Sequence, residues 1–333
     1  MLILGIETSC DETAAALVED GIYEISSVVA SSQELHKKTG GVVPEVAARK
    51  QVEFMVPAIA ETLKKARVSA ADIDALAVTV GPGLIGSLFV GVEAAKALAM
   101  AWDKPLIPVN HLVGHIYAAF IGSDAPALPA VVLIVSGGHT DLVLMRGHGA
   151  LEYLGGTVDD AAGEAFDKTA RLLGLGAYLG GAALSRKAQE VFPATSSRCP
   201  RLPRPMLDQA TFDFSFSGLK TAVKRLVETG RYPVAVVARE FEDAVVDVLA
   251  AKTMRAAKGL GVKSVIVGGG VAANSHLRNR LRAEVGTQGF TLHIPPPRLC
   301  TDNAVVIASA AYFNQTQKKL SEIQPNPSLV IAD

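Results

Sequence analysis

Two histidines stand four residues apart in this chain, His111 and His115. At that spacing both imidazoles lie on one face of a helix, one turn apart, where they can hold the same metal ion. An isolated pair is also common on the surface of a helix. The residue after the first histidine is Leu112, so the chain lacks the glutamate that a zinc protease of the H-E-x-x-H type uses as its general base. The pair therefore predicts metal binding and argues against proteolysis.

A third ligand to this metal would be a carboxylate, and Asp302 is the candidate. It lies in the segment Cys300-Thr301-Asp302-Asn303, where we expect it to cap the last helix of the chain. Two histidines, one carboxylate and open coordination positions suit Fe²⁺ as well as Zn²⁺.

The segment 7–13 crowds carboxylates and hydroxyls between two apolar runs. Such a density of polar groups is costly unless they bind a metal-phosphate or each other's donors. A polar hairpin tip is the alternative interpretation. The carboxylates are those of Glu7, Asp11 and Glu12, and the hydroxyls are those of Thr8, Ser9 and Thr13.

Two glycine-rich segments offer backbone N–H groups to an anion. In the turn 136–140, Gly137 and Gly138 can wrap an anionic oxygen. In the loop 267–274, three glycines let a flat base or a ribose approach the backbone, and Asn274 can both cap a helix and donate to a ligand. Each segment alone is typical of a tight turn, but together they favour nucleotide binding.

Hydrophobic periodicity predicts the elements that position these segments. The buried stripe of the first helix should comprise Val52, Met55, Val56, Ile59 and Leu63, with Pro57 as a kink or a late start. The expected order is strands at 2–6, 13–18 and 22–30, this helix, strand 75–80, a helix to about residue 102, strand 106–109 and a helix from near residue 111.

The same order returns in the second half of the chain. It comprises strands at 131–135, 142–145 and 151–154, a helix from 233 to about 258, strand 264–267, a helix from 274, strand 290–294 and a helix from 302. This repetition predicts an α/β protein of two ribonuclease-H-like lobes, the architecture of actin-like ATPases and sugar kinases. We expect the first lobe at 1–125, with the closing helix 302–318 packed back on it, and the second at 126–301 with an insertion at about 156–231. Ligands of such folds lie in a cleft.

Composition bounds the class of protein. With 333 residues, 49% of them hydrophobic, the chain can bury a large core. The most apolar stretch, 84–102, is interrupted by Ser87, Glu93 and Lys96, so we expect no membrane span, and the N-terminal residues resemble no targeting signal. A cytosolic protein is predicted. Its three cysteines, Cys10, Cys199 and Cys300, form no C-x-x-C motif and are expected to be reduced thiols.

The formal net charge is −1, but basic residues cluster between 168 and 204. Glu190 is the only acid in that stretch, so this segment either faces a polyanion or is a solvated surface. The basic residues are Lys168, Arg171, Arg186, Lys187, Arg198, Arg201 and Arg204.

Eight segments together resemble the bacterial family of tRNA N6-adenosine threonylcarbamoyltransferases, TsaD, once misnamed sialoglycoproteases. They are residues 5–13, 40–45, 81–84, 111–115, 135–140, 159–168, 214–221 and 300–303, which span nearly the whole chain. The resemblance implies transfer of the threonylcarbamoyl group of threonylcarbamoyl-AMP to N6 of the adenosine 3′ of the anticodon, in tRNAs that read codons beginning with A. AMP would be the leaving group.

The family pattern also implies roles for individual residues. His111, His115 and Asp302 would hold one divalent metal, commonly Fe²⁺, with Zn²⁺ possible. Asp11 or Glu12 could help to deprotonate the attacking amine, although neither pattern nor sequence identifies the base. The adenylate would contact Ile134, Val135, Ser136, Gly137, Gly138, Asp167, Gly181 and Asn274.

Partners follow from the same resemblance. They are tRNA, a smaller paralogue of the same fold (TsaB-like), a P-loop ATPase (TsaE-like) and a separate threonylcarbamoyl-AMP synthase, with no membrane. The chain departs from the family where Leu179 and Ala182 replace the usual prolines around Gly181, and where Asn110 and Gln51 replace frequent histidines.

Two other functions stay open from the residues alone. An ATP-dependent kinase or ATPase of the actin-like fold would use the same glycine-rich segments, but it would hold Mg²⁺ through carboxylates and phosphates and have no use for His111 and His115. A non-catalytic scaffold could pair through the helix at 45–66, but it leaves the metal-like triad unexplained.

Overall fold

The computed structural model describes residues 1–33, 35–36, 41–122, 124–176, 179–191, 200–286, 288–316 and 318–331. The chain divides into two compact units. Unit 1 comprises Met1–Pro126, Gly147–Leu151 and Pro295–Asp333, and unit 2 comprises Ala127–Arg146 and Glu152–Ile294. This division places residues 126, 147–151 and 295–301 in unit 1, whereas they are predicted to lie in the second lobe. Arg198 and Cys199, named above, and residue 40 of the segment 40–45 lie outside the described residues.

The regular elements follow the order that periodicity predicts. The strands are β1 (Leu2–Glu7), β2 (Glu12–Glu19), β3 (Tyr23–Ser31), β4 (Ala75–Gly81), β5 (Leu106–Asn110), β6 (Ala130–Val135), β7 (Thr140–Gly147), β8 (Ala150–Gly156), β9 (Ser264–Gly268) and β10 (Thr291–His293). The helices are α1 (Pro44–Ala66), α2 (Ile85–Trp102), α3 (His111–Tyr117), α4 (Ala162–Leu172), α5 (Gly180–Gln189), α6 (Ser217–Glu228), α7 (Val234–Leu260), α8 (Ser275–Val285) and α9 (Ala304–Phe313).

Each unit contains one five-stranded mixed sheet with the same topology. In unit 1 the order is β3-β2-β1-β4-β5, and in unit 2 the corresponding order is β8-β7-β6-β9-β10. In unit 1, β2 is antiparallel to β1 and β3, while β4 is parallel to β1 and β5. In unit 2, β6 is antiparallel to β7 and parallel to β9. The repeated pattern in the sequence is therefore a repeated topology.

Helix α1 buries only part of the predicted stripe. Met55 and Ile59 are buried, but Val52 and Val56 are 64% and 73% exposed, and the helix runs through the exposed Pro57 from its start at Pro44. Two polar residues, Gln51 and Thr62, are also buried. The prediction was wrong for Val52 and Val56 because it counted apolar residues only, while the buried polar groups bond to backbone carbonyls: the Thr62 hydroxyl lies 3.2 Å from the Ala15 oxygen of β2.

Helix α2 is long and apolar enough to cross a membrane by length and composition, contrary to the sequence-based expectation. One face of this helix lies in the core of unit 1, where Val92, Ala95 and Ala99 pack with residues of β1 and β4. Beside this face Lys96 pairs with the exposed Glu93 at 2.9 Å. In this structure α2 is a half-buried helix packed on a sheet.

The predicted basic segment is partly neutralised by acids that lie outside it. Arg204 is almost buried and forms ion pairs with Glu240 and Asp247, both on α7. Lys168 pairs with Asp160 at 2.6 Å and with Glu164 at 2.8 Å. The charge count over 168–204 therefore overstates the positive potential, because it omits acids on either side of the segment.

Helix α9 packs on the face of the unit 1 sheet opposite to α1 and α2, against two glycines. A Cβ on Gly5 of β1 would lie 2.9 Å from the Ala308 nitrogen and still closer to the Ala304 oxygen. A Cβ on Gly114 of α3 would lie 2.8 Å from the Ile307 Cδ1. Gly5 allows the α9 backbone to approach β1 closely, and Gly114 leaves room on α3 for the Ile307 side chain of α9. Asp302 is held just before the start of α9.

We predict that Gly5→Ala lowers the free energy of unfolding by about 1–3 kcal/mol, because the added methyl group meets backbone atoms that cannot move independently. Gly259→Ala is the matched control, since nothing lies within 4 Å of that position in α7. It should leave stability unchanged or raise it by up to about 1 kcal/mol. Urea unfolding midpoints measure both, and equal midpoints for the two variants would contradict the packing argument.

Candidate metal centre and nucleotide site

The two histidines occupy successive turns of α3, as predicted. Asn110 caps this helix, because its Oδ1 accepts the Leu112 N–H at 2.9 Å. The cap places His111 at the first helical position, where β5 ends. His111 is 9% exposed and His115 is 1% exposed, so the alternative of a pair on the helix surface does not hold.

Asp302 lies beside both histidines, but it is not the helix cap. Asn303 caps α9 through its Oδ1, which accepts the Val306 N–H at 3.2 Å. Asp302 Oδ1 is instead 3.5 Å from His111 Nε2 and 3.7 Å from His115 Nε2. The expected capping role was wrong because the next residue supplies the cap, which leaves the Asp302 carboxylate directed at the imidazoles.

These three residues fit a metal ion. One donor atom from each lies within 4.8 Å of the others, and the carboxylate–imidazole separations exceed normal hydrogen-bond lengths. Separations of this size are expected between donor atoms that bind one shared cation, each at a metal–ligand distance of about 2.0–2.2 Å. His111, His115 and Asp302 therefore could hold a metal ion, all within unit 1.

Glu7 lies behind His111, at the end of β1, and is 1% exposed. Its Oε2 accepts the Thr79 hydroxyl at 2.6 Å and lies 3.0 Å from His111 Nδ1, while its Oε1 accepts the Ser9 N–H. Burial raises the pKa of Glu7, but the His111 charge and these hydrogen bonds outweigh burial and lower it to about 2. Glu7 is therefore ionised.

The pKa values of His111 and Asp302 depend on Glu7 and on each other. Burial lowers the pKa of His111, but the charges of Glu7 and Asp302 raise it to about 9. Burial raises the pKa of Asp302, as do Glu7 and Asp11, against the opposing charge of His111. Several carboxylates thus compete for one positive group, and a divalent cation would relieve their repulsion.

Glu12 is a second buried carboxylate of the same unit, 8% exposed. Its Oε1 accepts the Ser31 hydroxyl at 2.9 Å and the Gln33 amide at 2.8 Å. Burial, together with the nearby Asp11 and Asp302, raises its pKa to about 7 against these two hydrogen bonds. A carboxyl group that titrates near neutral pH can accept a proton during a reaction.

Gln51 of α1 organises the acidic turn. Its Nε2 lies 2.9–3.3 Å from the carbonyl oxygens of Thr8, Cys10 and Glu12. Three carbonyls around one atom identify that atom as the amide nitrogen. Sequence reasoning had treated Gln51 only as a departure from the family; the signal for its role was a polar residue among the apolar residues of a helix.

The predicted adenylate contacts all belong to unit 2. Ile134 and Val135 are fully buried in β6, directly before the glycine-rich turn. The following turn is closed by the Ser136 N–H, which donates to the His139 oxygen at 2.8 Å. Gly137 and Gly138 are exposed. A Cβ added at either glycine would have no other atom of the fold within 4 Å.

Two further segments meet this turn. Gly163 in the first turn of α4 donates its N–H to the Ser136 oxygen at 3.1 Å. Gly269, at φ 92°, has no room for a side chain because its Cβ would meet the backbone of Val135. The turn at 136–139, the start of α4 and the loop after β9 therefore lie together.

Asp167 and Gly181 are also brought together. The Gly181 N–H donates to Asp167 Oδ1 at 2.7 Å, at the start of α5. Burial raises the pKa of Asp167 against this hydrogen bond. Leu179, which precedes the helix, has φ 50°, a left-handed conformation that the usual proline cannot adopt. The local backbone here therefore differs from any that a proline could occupy.

Asn274 connects three elements. Its Oδ1 accepts the Leu277 N–H and caps α8, as predicted, while its Nδ2 donates to Ser185 Oγ at 2.9 Å and to Glu242 Oε1 at 2.7 Å. Sequence reasoning missed Ser185 and Glu242. The available signal for Glu242 was an acid in helical register with the apolar residues 238, 245 and 249 of α7.

Solved structures share the fold. The chain is similar to T. kodakarensis HypF, with a TM-score of 0.63 and 15% identity over 93% of this chain and 47% of that one. It is also similar to component A of the Acidaminococcus fermentans (R)-2-hydroxyglutaryl-CoA dehydratase, with a TM-score of 0.54 and 16% identity over 94% and 98% of the two chains. These likenesses concern fold alone, and the predicted α/β, actin-like architecture is confirmed.

Sequence relatives are much closer. Proteins called tRNA N6-adenosine threonylcarbamoyltransferase are 51% identical in Thermomicrobium roseum, over 94% of this chain and 92% of the relative, and 50% identical in Bacillus subtilis, over 93% and 89%. A relative in Dictyoglomus turgidum is 46% identical over the full length of both. The family model for TsaD, tRNA N6-adenosine threonylcarbamoyltransferase, matches residues 24–309. The chain therefore belongs to this family, and it is an enzyme that transfers a threonylcarbamoyl group to N6 of adenosine in tRNA.

Proposed function

We propose that the donor is threonylcarbamoyl-AMP and that unit 2 binds its adenylate part. The exposed amides of Gly137 and Gly138 suit a phosphate, because glycine backbones let an anion approach closely. Asp167 and Asn274 suit the hydroxyl and amine groups of the nucleoside. The backbone of residues 134–136 and of Gly181 completes this set of adenylate contacts.

We propose that unit 1 holds one divalent cation through His111, His115 and Asp302, with Fe²⁺ favoured and Zn²⁺ the alternative. This group of ligands is the observation that favours the transferase over a kinase, since a kinase would hold Mg²⁺ through oxygen ligands. When bound, the cation supplies positive charge that stabilises anionic oxygens of a substrate.

The acceptor is proposed to be the adenosine 3′ of the anticodon, in tRNAs that read codons beginning with A. Its N6 amine attacks the carbonyl carbon of the threonylcarbamoyl group, so that a C–N bond forms and the C–O bond to the phosphate breaks. AMP leaves, and the amine loses one proton. Glu12 is the proposed acceptor of that proton because its pKa is about 7, with Asp11 as the neighbouring alternative.

We also propose that the chain works in the cytoplasm with other proteins. They are a TsaB-like smaller paralogue, a TsaE-like P-loop ATPase and a separate threonylcarbamoyl-AMP synthase. A formal net charge of −1 gives the chain little long-range attraction for tRNA, which supports a need for partner surfaces.

We predict that Asp302→Ala abolishes transfer, because Asp302 is the only anionic member of the ligand group and two neutral imidazoles hold a cation poorly. The assay contains the purified chain, its partners, the synthase, ATP, bicarbonate, labelled threonine and tRNA. Mass spectrometry of tRNA nucleosides detects the product, and metal analysis reports the bound cation. Asp124→Asn, an exposed acid of the same unit, should retain both product and metal.

The same assay separates the competing functions. A kinase or ATPase predicts hydrolysis of ATP or phosphoryl transfer to a small acceptor by the chain alone, independent of tRNA. Full transfer by Asp302→Ala would refute the metal proposal. Rapid multiple-turnover transfer without the paralogue and the P-loop ATPase would refute the proposed need for partners.

We predict that kcat/KM rises about tenfold per pH unit below pH 7 and levels off above it, because Glu12 must be ionised to accept a proton and its pKa is about 7. Glu12→Gln should remove this dependence and lower the rate by about 10²–10⁴-fold. Asp11→Asn tests the alternative base. A pH profile that Glu12→Gln leaves unchanged would show that Glu12 is not the base.

Stability provides a second readout for Glu12. Its folded pKa lies above the ordinary value of 4.5, so the folded protein binds this proton more tightly than the unfolded chain does. The metal-free wild type should therefore lose stability as pH rises from about 4.5 to above 7. Glu12→Gln should unfold at a higher temperature than the wild type at pH 8, and this difference should shrink toward pH 4.5.

A further inference from the structure

We infer that Glu7 is a positioning residue for the metal centre: its carboxylate fixes the tautomer and the ring orientation of His111, so that Nε2 presents a lone pair to the cation. This inference rests on the proposed metal site. It assigns a role to a buried acid that neither the ligand group nor the proposed transfer chemistry uses.

The fold holds the Glu7 carboxylate in a fixed position. Glu7 is almost fully buried at the end of β1, and both of its oxygens have protein donors. The Ser9 N–H donates to Oε1, and the Thr79 hydroxyl donates to Oε2 at 2.6 Å. Two neutral donors from different segments hold the carboxylate in place, and Oε2 then lies 3.0 Å from His111 Nδ1.

One proton lies between the Glu7 carboxylate and His111. Each Glu7 oxygen already accepts a hydrogen bond from a neutral donor, so at 3.0 Å His111 Nδ1 is the atom that carries the proton. When a cation displaces any proton on Nε2, that nitrogen presents its lone pair. That atom lies 3.5 Å from Asp302 Oδ1, and Asp302 Oδ1 lies 3.7 Å from His115 Nε2. Glu7 thus commits His111 to the tautomer that can ligate on the side of the other two donors.

The Ser9 hydroxyl is another group that could orient the His111 ring. Ser9 Oγ is 3.2 Å from the same His111 Nδ1. A hydroxyl can accept or donate, so it does not select a tautomer, whereas the carboxylate does. A carboxylate on the outer nitrogen of a metal-binding histidine also makes the ligating nitrogen more basic, and losing such a partner typically costs about 10–100-fold in metal affinity.

The test measures Co²⁺ affinity of the purified full chain by chelator competition, with the visible absorption of Co²⁺ as a report of its coordination. Glu7→Gln should weaken Co²⁺ binding by about 10–100-fold, because the amide can donate to Nδ1 and so favour a proton on Nε2. Ser9→Ala keeps the carboxylate and should bind Co²⁺ within about threefold of the wild type.

Thr79→Val is the matched control for a merely structural role. It removes one hydrogen bond from the same buried cluster with little change of volume, and it leaves the carboxylate on His111. Both Glu7→Gln and Thr79→Val should unfold at lower urea concentrations, but only Glu7→Gln should lose about 10-fold or more in affinity. Equal losses of affinity in the two variants would overturn the inference, as would the full loss in Ser9→Ala.

His115→Ala separates this inference from the metal site itself. If His115→Ala loses Co²⁺ binding while Glu7→Gln stays within about threefold of the wild type, the metal site stands and the role of Glu7 is refuted. If the wild type binds no Co²⁺, or His115→Ala binds it as the wild type does, the metal site is refuted and this inference with it.

A measurement on the wild type keeps the inference testable should Glu7→Gln fail to fold. Nitrogen-15 spectra of the histidine side chains, with Zn²⁺ bound, report which ring nitrogen carries the proton. We expect His111 to carry it on Nδ1, and His111→Ala identifies the signal. A proton on Nε2 in the zinc-bound protein would overturn the inference.

Discussion

The close packing of α9 against β1 and α3 determines where Asp302 lies, and the candidate metal centre depends on it. Gly5 lacks a side chain that would hold the α9 backbone away from β1, and Gly114 leaves room on α3 for the Ile307 side chain of α9. Because Asn303 supplies the cap of α9, Asp302 is relieved of that role and its carboxylate faces the histidines. The packing of α9 thus brings Asp302, from near the end of the chain, to His111 and His115.

Environment gives the carboxylates of unit 1 different protonation behaviour. Glu7 receives hydrogen bonds from Thr79 and Ser9 beside a positive imidazole, and its pKa is lowered to about 2. Glu12 is buried near other acids, and its pKa is raised to about 7. Groups of one chemical type whose pKa values are driven apart can take different roles at one pH. Here Glu7 is suited to be a permanent anion that orients His111, while Glu12 is suited to accept a proton.

Sequence reasoning predicted the order of the main elements and the shared helix face of His111 and His115, because apolar periodicity and histidine spacing are local properties. The expectation that Asp302 lies near them depended on the expected fold. Sequence reasoning failed where a side chain is buried or paired through partners distant in sequence. The predicted α1 stripe holds for Met55 and Ile59 but not for Val52 and Val56, which are exposed. Gln51 is buried in this helix because it bonds to the turn at 8–12. The link from Asn274 to Glu242 and the neutralisation of Arg204 likewise require acids from α7, which no local pattern connects to them.

The two units present different polar groups on one topology. The turn between β1 and β2 and the turn between β6 and β7 occupy corresponding positions in sheets of the same strand order. In unit 1 the side chain of Gln51 binds the turn's carbonyls, and the turn presents acidic side chains, which would attract a cation. In unit 2 the backbone of Gly163 braces the turn, and the exposed glycines present backbone N–H groups, to which we propose that an anion binds. A repeated topology therefore provides equivalent positions, and the residue types at each turn decide whether carboxylates or backbone N–H groups lie there.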